Sequence, residues 1–173
     1  MLGLQRGSVQ LIAYDPAWAT LFEAERTRLH HALHPHALDI QHIGSTAVPG
    51  LAAKPLLDLG IAVADAAMVA ACIPRITALG YSYRGYRGAN QGYFFDLGPE
   101  HNLTHYLHLL LISDAGWQNY LRFRDYLRAH PEARAAYQQL KQDLAAKYAA
   151  DRAAYSAAKT TFIQGILAAG YSS

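Results

Sequence analysis

The fold is decided by a segment that reads HIGSTAVPGLAAKPLLD and occupies residues 42–58. It begins at the end of residues 38–43, whose sequence predicts a β-strand, and its Gly44–Ser45 pair predicts a sharp turn. Residues 46–53 predict a short, interrupted helical segment. The near-continuous apolar run over residues 56–63 predicts a second strand at the centre of a sheet that is covered on both faces.

The turn and the second strand carry polar groups that suit a phosphate. At Gly44 the backbone can approach a phosphate closely, and Ser45 offers a hydroxyl beside the free N–H groups of a helical turn. Asp58 places a carboxylate where packing alone favours an apolar residue, and such an acid can hold Mg²⁺ that bridges to phosphates. A Gly-Ser pair alone is equally typical of a tight turn with a capping serine. Its spacing to Asp58 is what indicates a phosphate site.

The rest of the chain alternates helical and extended patterns before it becomes entirely helical. A helix is expected from Asp15–Pro16 to residue 34, and another from Asp65 to residue 79, ending before Gly80. Extended segments are expected over residues 9–12, as an edge strand or lead-in, and as antiparallel strands over residues 81–87, 91–97 and 103–112. Helices are expected over residues 114–129, 131–148 and 151–169, the last closing at Gly170.

This order predicts a single α+β domain over residues 1–173. Residues 1–112 form its mixed core of strands and helices, and residues 113–173 form a helical tail that packs on that core. With 52% hydrophobic and 16% charged residues, the chain of 173 residues can bury a sizeable core. The same composition excludes a disordered chain and a coiled coil.

The net charge of +2 hides an excess of basic residues in the last third of the chain. Residues 120–173 contain eight Lys and Arg against four Asp and Glu. This excess could meet a phosphate, or it could be the solvated surface of the helices. It is too dilute for a protein that wraps nucleic acid, so no nucleic-acid partner is expected.

Nothing in the sequence predicts secretion or membrane insertion. The single cysteine, Cys72, excludes an internal disulfide, and the first ten residues lack the apolar segment of a signal peptide. The longest apolar stretch, residues 61–73, contains Asp65 and is shorter than the roughly 18 residues that a membrane span requires. We therefore expect a cytoplasmic location, no membrane partner and, for Cys72, a buried and inert thiol.

Residues 42–58 closely resemble the GrpB (UPF0157) family, which belongs to the nucleotidyltransferase superfamily. Besides residues 42–58, the resemblance rests on YDPAW at 14–18, THYLH at 104–108, FRDYLRAHP at 123–131 and residues 155–162. It implies a nucleotidyltransferase-like fold, in which a mixed β-sheet is flanked by helices and a C-terminal helical segment packs on it. It implies no settled activity, and members of the family are sometimes fused to dephospho-coenzyme A kinase.

The resemblance also assigns roles to residues of this chain. The superfamily's Gly-Ser pair falls on Gly44 and Ser45, and the first carboxylate of its Asp-x-Asp pair falls on Asp58. The second carboxylate position is Gly60, and the superfamily's third acid aligns with His108. The resemblance thus implies that the Gly-Ser turn binds the phosphates of a nucleoside triphosphate and that Asp58 holds a divalent metal, Mg²⁺ or Mn²⁺. Asp58 and His108 would be the catalytic residues, the acceptor is undefined, and no organic cofactor is implied.

Two basic residues of the tail, Arg124 and Lys159, match family positions and are expected to bind the triphosphate. The glycine at position 60 removes one of the oxygen ligands on which two-metal catalysis depends. A second hypothesis therefore stays open, in which the protein is a regulatory module that binds a nucleotide or a protein without catalysis.

A third hypothesis uses histidines. His42, Asp58 and His108 could form a site for a transition metal and make the protein a metal-dependent hydrolase, whereas hydrogen-bonded structural histidines account for them equally well. Alternation along residues 103–112 places His105 and His108 on opposite faces, so only one of them can share a site with Asp58.

Two further groups have structural explanations as well as functional ones. Four histidines near a helix end could pick up a metal adventitiously: His30, His31, His34 and His36. Aromatic residues are concentrated in the hairpin over residues 81–95, where they alternate with Arg84 and Arg87. That pattern fits a platform for stacking bases, and it fits ordinary strand packing.

Overall fold

The computed structural model of the chain describes residues 2–169. Within them, six α-helices, α1 to α6, are Ala17–Leu33, Ala66–Ala78, Ala115–Ala129, Pro131–Lys147, Arg152–Ala158 and Thr160–Ala169. Five strands, β1 to β5, are Ala37–Ile43, Leu57–Val63, Ser82–Tyr86, Tyr93–Leu97 and His105–Leu111. The α+β fold class expected from the sequence is confirmed. No helix in this part of the chain is both long enough and apolar enough to cross a membrane.

The five strands form one mixed sheet in the order β1-β2-β5-β4-β3. β2 is antiparallel to β1 and parallel to β5, while β4 is antiparallel to both β5 and β3. β2 and β5 are therefore interior strands, and most of their residues are buried, as the apolar sequence of β2 predicts. The register pairs Asp58 with Ile43 on one side and with Tyr106 on the other, so the end of β1 lies beside the start of β2.

Different helices cover the two faces of the sheet. α1 and α2 pack on one face, where Trp18, Cys72 and Leu107 belong to a common buried core. Burial raises the pKa of the Cys72 thiol, which agrees with the inert thiol expected there. α3 covers the opposite face, where Trp117 packs on Leu110.

α4 and α6 pack on α3 and on the turn that follows β1, and α5 packs on both α4 and α6. Val48 and Leu51 of this turn form a buried cluster with Leu127 of α3 and Tyr137 of α4. The C-terminal helical segment is therefore packed on the mixed core. It covers the end of the sheet at which β1 ends and β2 begins.

Two segments differ from the prediction. Residues 9–12 form no strand, and the chain there makes a single bridge between Ile12 and Ala53. The helix expected over residues 151–169 is divided at Lys159 into α5 and α6. Its expected closing residue, Gly170, lies outside the described residues. The division places Lys159 at a corner between two helices.

Candidate functional site

The end of β1, the turn that follows it and the start of β2 meet at one point. Gly44 has φ +70° and ψ −171°, a conformation that is essentially restricted to glycine, and Ser45 begins a 3₁₀ turn, Ser45–Ala47. A Cβ atom on Gly44 would overlap the Asp58 carboxylate. The fold therefore places Gly44, Ser45 and Asp58 side by side, and their binding of phosphate and metal stays a prediction.

We expect Gly44→Ala to lower the free energy of unfolding by at least about 2 kcal/mol. The backbone conformation alone costs a non-glycine residue about 1–3 kcal/mol, and the added methyl group also meets Asp58. The matched control is Gly50→Ala, since Gly50 also has a positive φ but has open space at its Cβ position. Urea unfolding compares the two variants. Equal losses of stability would show that the close approach to Asp58 contributes nothing.

Asp58 lines a cavity of about 520 Å³ between the sheet and the tail helices. Five of the residues assigned to the site from the sequence line this cavity, namely Gly44, Ser45, Asp58, His108 and Lys159. They come from the turn after β1, from β2, from β5 and from the corner between α5 and α6. Residues far apart in the sequence thus line one cavity.

Five cationic side chains line the same cavity: Lys54, Arg87, Lys141, Arg152 and Lys159. Among the residues that the structure describes, none of the five forms an ion pair. Within the same limits, Asp58 is the one carboxylate in the cavity wall. The cavity is therefore positively charged, which suits an anion with several negative charges.

Aromatic rings accompany these cations where carboxylates do not. Lys159 Nζ lies 4.4 Å and Lys54 Nζ 5.8 Å from the centre of the Tyr155 ring. The Arg152 guanidinium lies 4.7 Å from the centre of the Tyr106 ring. Cation–π contacts contribute about 0.5–2 kcal/mol each, so they offset only part of the cost of gathering like charges. Arg152 Nε is also buried without a hydrogen-bond partner among residues 2–169, which leaves it free to donate.

Three lysines of the cavity wall have lowered pKa values because they are buried. Burial lowers the pKa of Lys54 to about 8 and the pKa values of Lys141 and Lys159 to about 7. Neighbouring cations act in the same direction, while Asp58 opposes them. Titratable groups shifted in this way are typical of functional sites.

The stability of the free protein should therefore rise as the pH increases from about 7 to about 10. Unfolded lysines keep their protons up to a pKa of about 10.4, whereas Lys141 and Lys159 in the folded protein release theirs near pH 7. Between these values the unfolded chain binds more protons, so raising the pH favours the folded state. Urea unfolding at pH 7 and pH 9 measures the effect. Lys159→Met should reduce the rise and the exposed Lys147→Met should not; a rise that is the same in both variants would exclude Lys159 as its source.

The carboxyl group of Asp58 and the imidazole of His108 both lie in the cavity wall. Burial raises the pKa of Asp58, although Lys54 and His108 oppose the shift. Burial lowers the pKa of His108, so its imidazole is neutral near pH 7. His108 Nδ1 lies 2.9 Å from the Gln91 carbonyl oxygen and must donate to it, because a carbonyl only accepts. The lone pair of His108 is therefore on Nε2.

The expected metal site of His42, Asp58 and His108 is not formed. His42 pairs with Leu59, a residue of the core under α1 and α2, and it stacks on Phe22 of α1 with ring centres 4.7 Å apart. Because residues alternate along a strand, His42 points to the opposite face from Asp58. Burial lowers the pKa of His42 to about 3. Nowhere in residues 2–169 do three His, Cys, Asp or Glu side chains lie close enough to hold a metal, and this includes the histidines at the end of α1.

Arg124 does not line the cavity, so the position of its side chain gives no support to the expected contact with a triphosphate, which stays a prediction. Its guanidinium is buried and donates to Gln41 Oε1 at 2.8 Å and to the His42 carbonyl oxygen at 3.0 Å. Arg128, one helical turn later, donates to the Ala47 carbonyl oxygen. These two arginines connect α3 to β1 and to the turn that follows it.

Gly60, which the sequence resemblance places at a second carboxylate position, is closely packed. A Cβ atom on Gly60 would lie 3.1 Å from Trp117 Cζ3 and 3.4 Å from the Ile43 side chain. Trp117 is itself buried between α3 and the sheet. The indole ring therefore occupies the space into which a carboxylate at position 60 would extend.

Of the five cations in the cavity wall, Lys159 was expected from the sequence to bind phosphate and Arg87 was noted only in the aromatic pattern of the hairpin. Lys54, Lys141 and Arg152 were not predicted as site residues. The burial of Lys141 could have been predicted from the sequence, since Lys141 lies four residues after Tyr137 on the apolar stripe of α4. Lys54 belongs to the segment that decides the fold. Arg152 carries no local signal, because only the packing of α5 brings it to the cavity.

The aromatic residues of the hairpin are mostly explained by strand packing. Tyr83 lies across from Phe95 with ring centres 5.0 Å apart, and Tyr86 lies across from Tyr93 at 4.9 Å. Two members of the pattern line the cavity, Arg87 and Phe94, and the Arg87 guanidinium lies 3.6 Å from the centre of the Phe94 ring.

Most of the chain matches one protein-family model, and several known proteins are similar to it. The family model described as GrpB protein matches residues 8–169. The chain is 35% identical over 162 residues to a UPF0157 protein of Pseudomonas aeruginosa, a match that covers 92% of this chain and 66% of that protein. It is 34% identical over 172 residues to the glutamate-rich protein GrpB of Alkalihalophilus pseudofirmus, which covers 96% of this chain and 98% of that protein. The chain thus spans slightly less than two thirds of the first of these relatives.

Solved structures share the fold. The crystal structure of the conserved protein GrpB from Enterococcus faecalis matches with a TM-score of 0.81 and 33% identity, over 91% of this chain and 94% of that one. A structure of the Cid1 poly(U) polymerase with MgGTP bound matches with a TM-score of 0.54 and 16% identity, over 78% of this chain and 44% of that one. The second likeness concerns the fold alone.

A dephospho-CoA kinase of Mycolicibacterium paratuberculosis is also similar in sequence. It is 29% identical over 180 residues, and the match covers 90% of this chain and 44% of that protein.

Proposed function

This chain belongs to the GrpB family, and on that premise we propose that its cavity binds a nucleoside triphosphate, with the phosphates between Ser45 and the surrounding cations. One observation carries the proposal, namely that Lys54, Lys141, Arg152 and Lys159 line one cavity without carboxylate partners among the described residues. Such charges destabilise the free protein, and a polyanion relieves their repulsion when it binds. The fold supports the same class of ligand, since Cid1 is described with MgGTP bound.

Different side chains would bind the phosphates in different ways. The Arg152 guanidinium, with its unpaired Nε, can donate two parallel hydrogen bonds to one phosphate. The lysines act as point charges that neutralise the triphosphate, and the Ser45 hydroxyl donates from the turn. Lys141 already donates to the Ala52 carbonyl oxygen, so its ammonium is held in place before the ligand arrives.

Asp58 fits a divalent metal that is carried by the nucleotide. Mg²⁺ is usually held by one or two carboxylates together with phosphate oxygens and water. The attraction of Lys54 and Lys159 for the Asp58 carboxylate makes the cavity unfavourable for a metal ion alone. Phosphates reverse this balance, so we propose that metal and nucleotide bind together. The metal would neutralise part of the phosphate charge.

Nucleotidyl transfer is the reaction that this arrangement serves best. In that reaction the acceptor hydroxyl oxygen forms a bond to the α-phosphorus, and pyrophosphate leaves as the bond from the α-phosphorus to its bridging oxygen breaks. His108 can take the proton of the hydroxyl, since its neutral imidazole has its lone pair on Nε2 and it lines the same cavity as Asp58. The lysines would stabilise the charge that develops on pyrophosphate.

Binding without transfer is the second candidate, and the packing of Gly60 favours it. Trp117 fills the space beside Gly60, so a second carboxylate could not be accommodated next to Asp58 without repacking α3. A protein with this arrangement would bind a nucleotide as a signal and not as a substrate.

A thermal-shift panel of the four common nucleoside triphosphates, each with Mg²⁺ or Mn²⁺, tests the proposal. A ligand at about 100 times its Kd adds roughly 2.7 kcal/mol of stability, which raises the melting temperature of a domain of this size by about 5–11 °C. No shift with any nucleotide at millimolar concentration would contradict the proposal. Release of pyrophosphate from a stabilising nucleotide would favour transfer over binding alone.

A further inference from the structure

The wall of the cavity is divided by charge. The cations come from connections of the sheet, from α4, from α5 and from the corner that follows α5. Among the described residues that line the cavity, neither α3 nor α6 contributes a charged side chain. A ligand that fills the cavity therefore meets a cationic wall and an uncharged wall.

α3 faces the cavity with four residues spaced i, i+3, i+4 and i+7: Gly116, Asn119, Tyr120 and Phe123. This spacing places them on one stripe of the helix. At Gly116 a Cβ atom would overlap the carbonyl oxygens of residues 89 and 90, so the glycine lets α3 pack directly on the hairpin loop. The stripe thus lies beside the hairpin loop and β5.

α6 presents a second stripe with the same spacing: Thr160, Ile163, Gln164 and Leu167. α6 packs against α3, so the two stripes form one continuous wall. It combines aromatic and aliphatic surface with two side-chain amides, one from each helix.

The two amides, on Asn119 and Gln164, are unpaired within residues 2–169, because no hydrogen bond of either side chain is found there. An amide presents a donor beside an acceptor, and the edge of a nucleobase presents the complementary pattern. The ring of Phe123 and the side chain of Ile163 offer apolar surface to the face of a base. A bare polyphosphate would use none of these groups.

We propose that the wall formed by α3 and α6 binds the nucleobase of the ligand, with Asn119 and Gln164 hydrogen-bonded to its edge and the triphosphate on the cationic wall. The proposal rests on the proposed function and adds that the ligand is recognised as a nucleotide, by its base as well as by its phosphates. The selectivity among bases is set by these two amides.

Calorimetric titration of the full chain with inorganic tripolyphosphate and with each nucleoside triphosphate, all with Mg²⁺, tests this assignment. The best nucleotide should bind at least about tenfold more tightly than tripolyphosphate. Asn119→Leu and Gln164→Leu should each weaken that nucleotide about three- to tenfold, the effect of one lost hydrogen bond, and leave tripolyphosphate binding unchanged. The control is Gln118→Leu, since Gln118 is an exposed amide on α3 that does not line the cavity.

The possible failures are distinguishable. If tripolyphosphate binds as tightly as every nucleotide, the base-binding wall is wrong and the phosphate site stands. If the amide variants weaken tripolyphosphate and nucleotide equally, the two amides are structural and the assignment is overturned. If neither tripolyphosphate nor any nucleotide binds, the proposed function itself fails and this assignment fails with it.

Discussion

Replacing Arg152 and Lys159 together by methionine will weaken binding of a nucleoside triphosphate at least about a hundredfold and will stabilise the free protein. Each lost charge-assisted hydrogen bond to phosphate is worth about 1.5–3 kcal/mol, and a hundredfold change in Kd corresponds to roughly 2.8 kcal/mol. In the free protein Arg152 Nε is buried and unpaired among the described residues, and the pKa of Lys159 is lowered to about 7. Removing both groups should raise the free energy of unfolding by about 0.5–2 kcal/mol.

The matched control is Arg134→Met with Lys147→Met, which removes the same charge from α4 at positions that do not line the cavity. It should change the affinity for nucleotide less than about threefold, the loss expected when only screened, long-range attraction is removed. Calorimetry and urea unfolding on both double variants separate local contact from overall charge. Loss of stability in the cavity variant, with affinity unchanged, would assign these two cations to the structure and not to a ligand.

Asp58→Asn will abolish the dependence of nucleotide binding on metal. In the wild type, Mg²⁺ should tighten nucleotide binding at least about tenfold, because the metal screens the phosphates from the Asp58 carboxylate and is held by it. In Asp58→Asn the charge is absent and the shape is kept, so Mg²⁺ should change the affinity less than about twofold. Without metal, the variant should bind the nucleotide more tightly than the wild type does, since a negative charge has left the cavity.

Titrations in the presence of Mg²⁺ and of a chelator measure all four affinities. The stability of each free protein is measured alongside, because Asp58 is packed against Gly44. An equal effect of Mg²⁺ on the wild type and on Asp58→Asn would remove Asp58 from the metal site. The nucleotide could then still bind through the lysines, and the proposed route to transfer would be wrong.

The pattern of residues 38–63 was sufficient to predict the turn and both strands beside it. Gly44 must adopt a conformation that is essentially restricted to glycine, and the apolar run of β2 is typical of an interior strand, so local chemistry and tertiary environment agree here. The placement of His105 and His108 on opposite faces followed from alternation alone, and the structure confirms it.

The direction of long side chains could not be predicted in the same way. Arg124 matches a family position, yet its guanidinium is used to fasten α3 to β1, and no local pattern distinguishes that use from phosphate binding. The corner at Lys159 has neither glycine nor proline, and the helix was therefore expected to continue through it. The cationic wall depends on how α4 and α5 pack, which is information that the spacing within each helix does not contain.

A crystal structure of the protein with a non-hydrolysable nucleoside triphosphate and Mn²⁺, with anomalous data collected for manganese, tests the central claim most directly. The account predicts the triphosphate between Ser45 and Lys159, a manganese peak within about 2.5 Å of an Asp58 carboxylate oxygen, and the base against α3 and α6. A nucleotide bound elsewhere, or an empty cavity in crystals grown with millimolar nucleotide, would contradict the claim that this cavity is a nucleotide site.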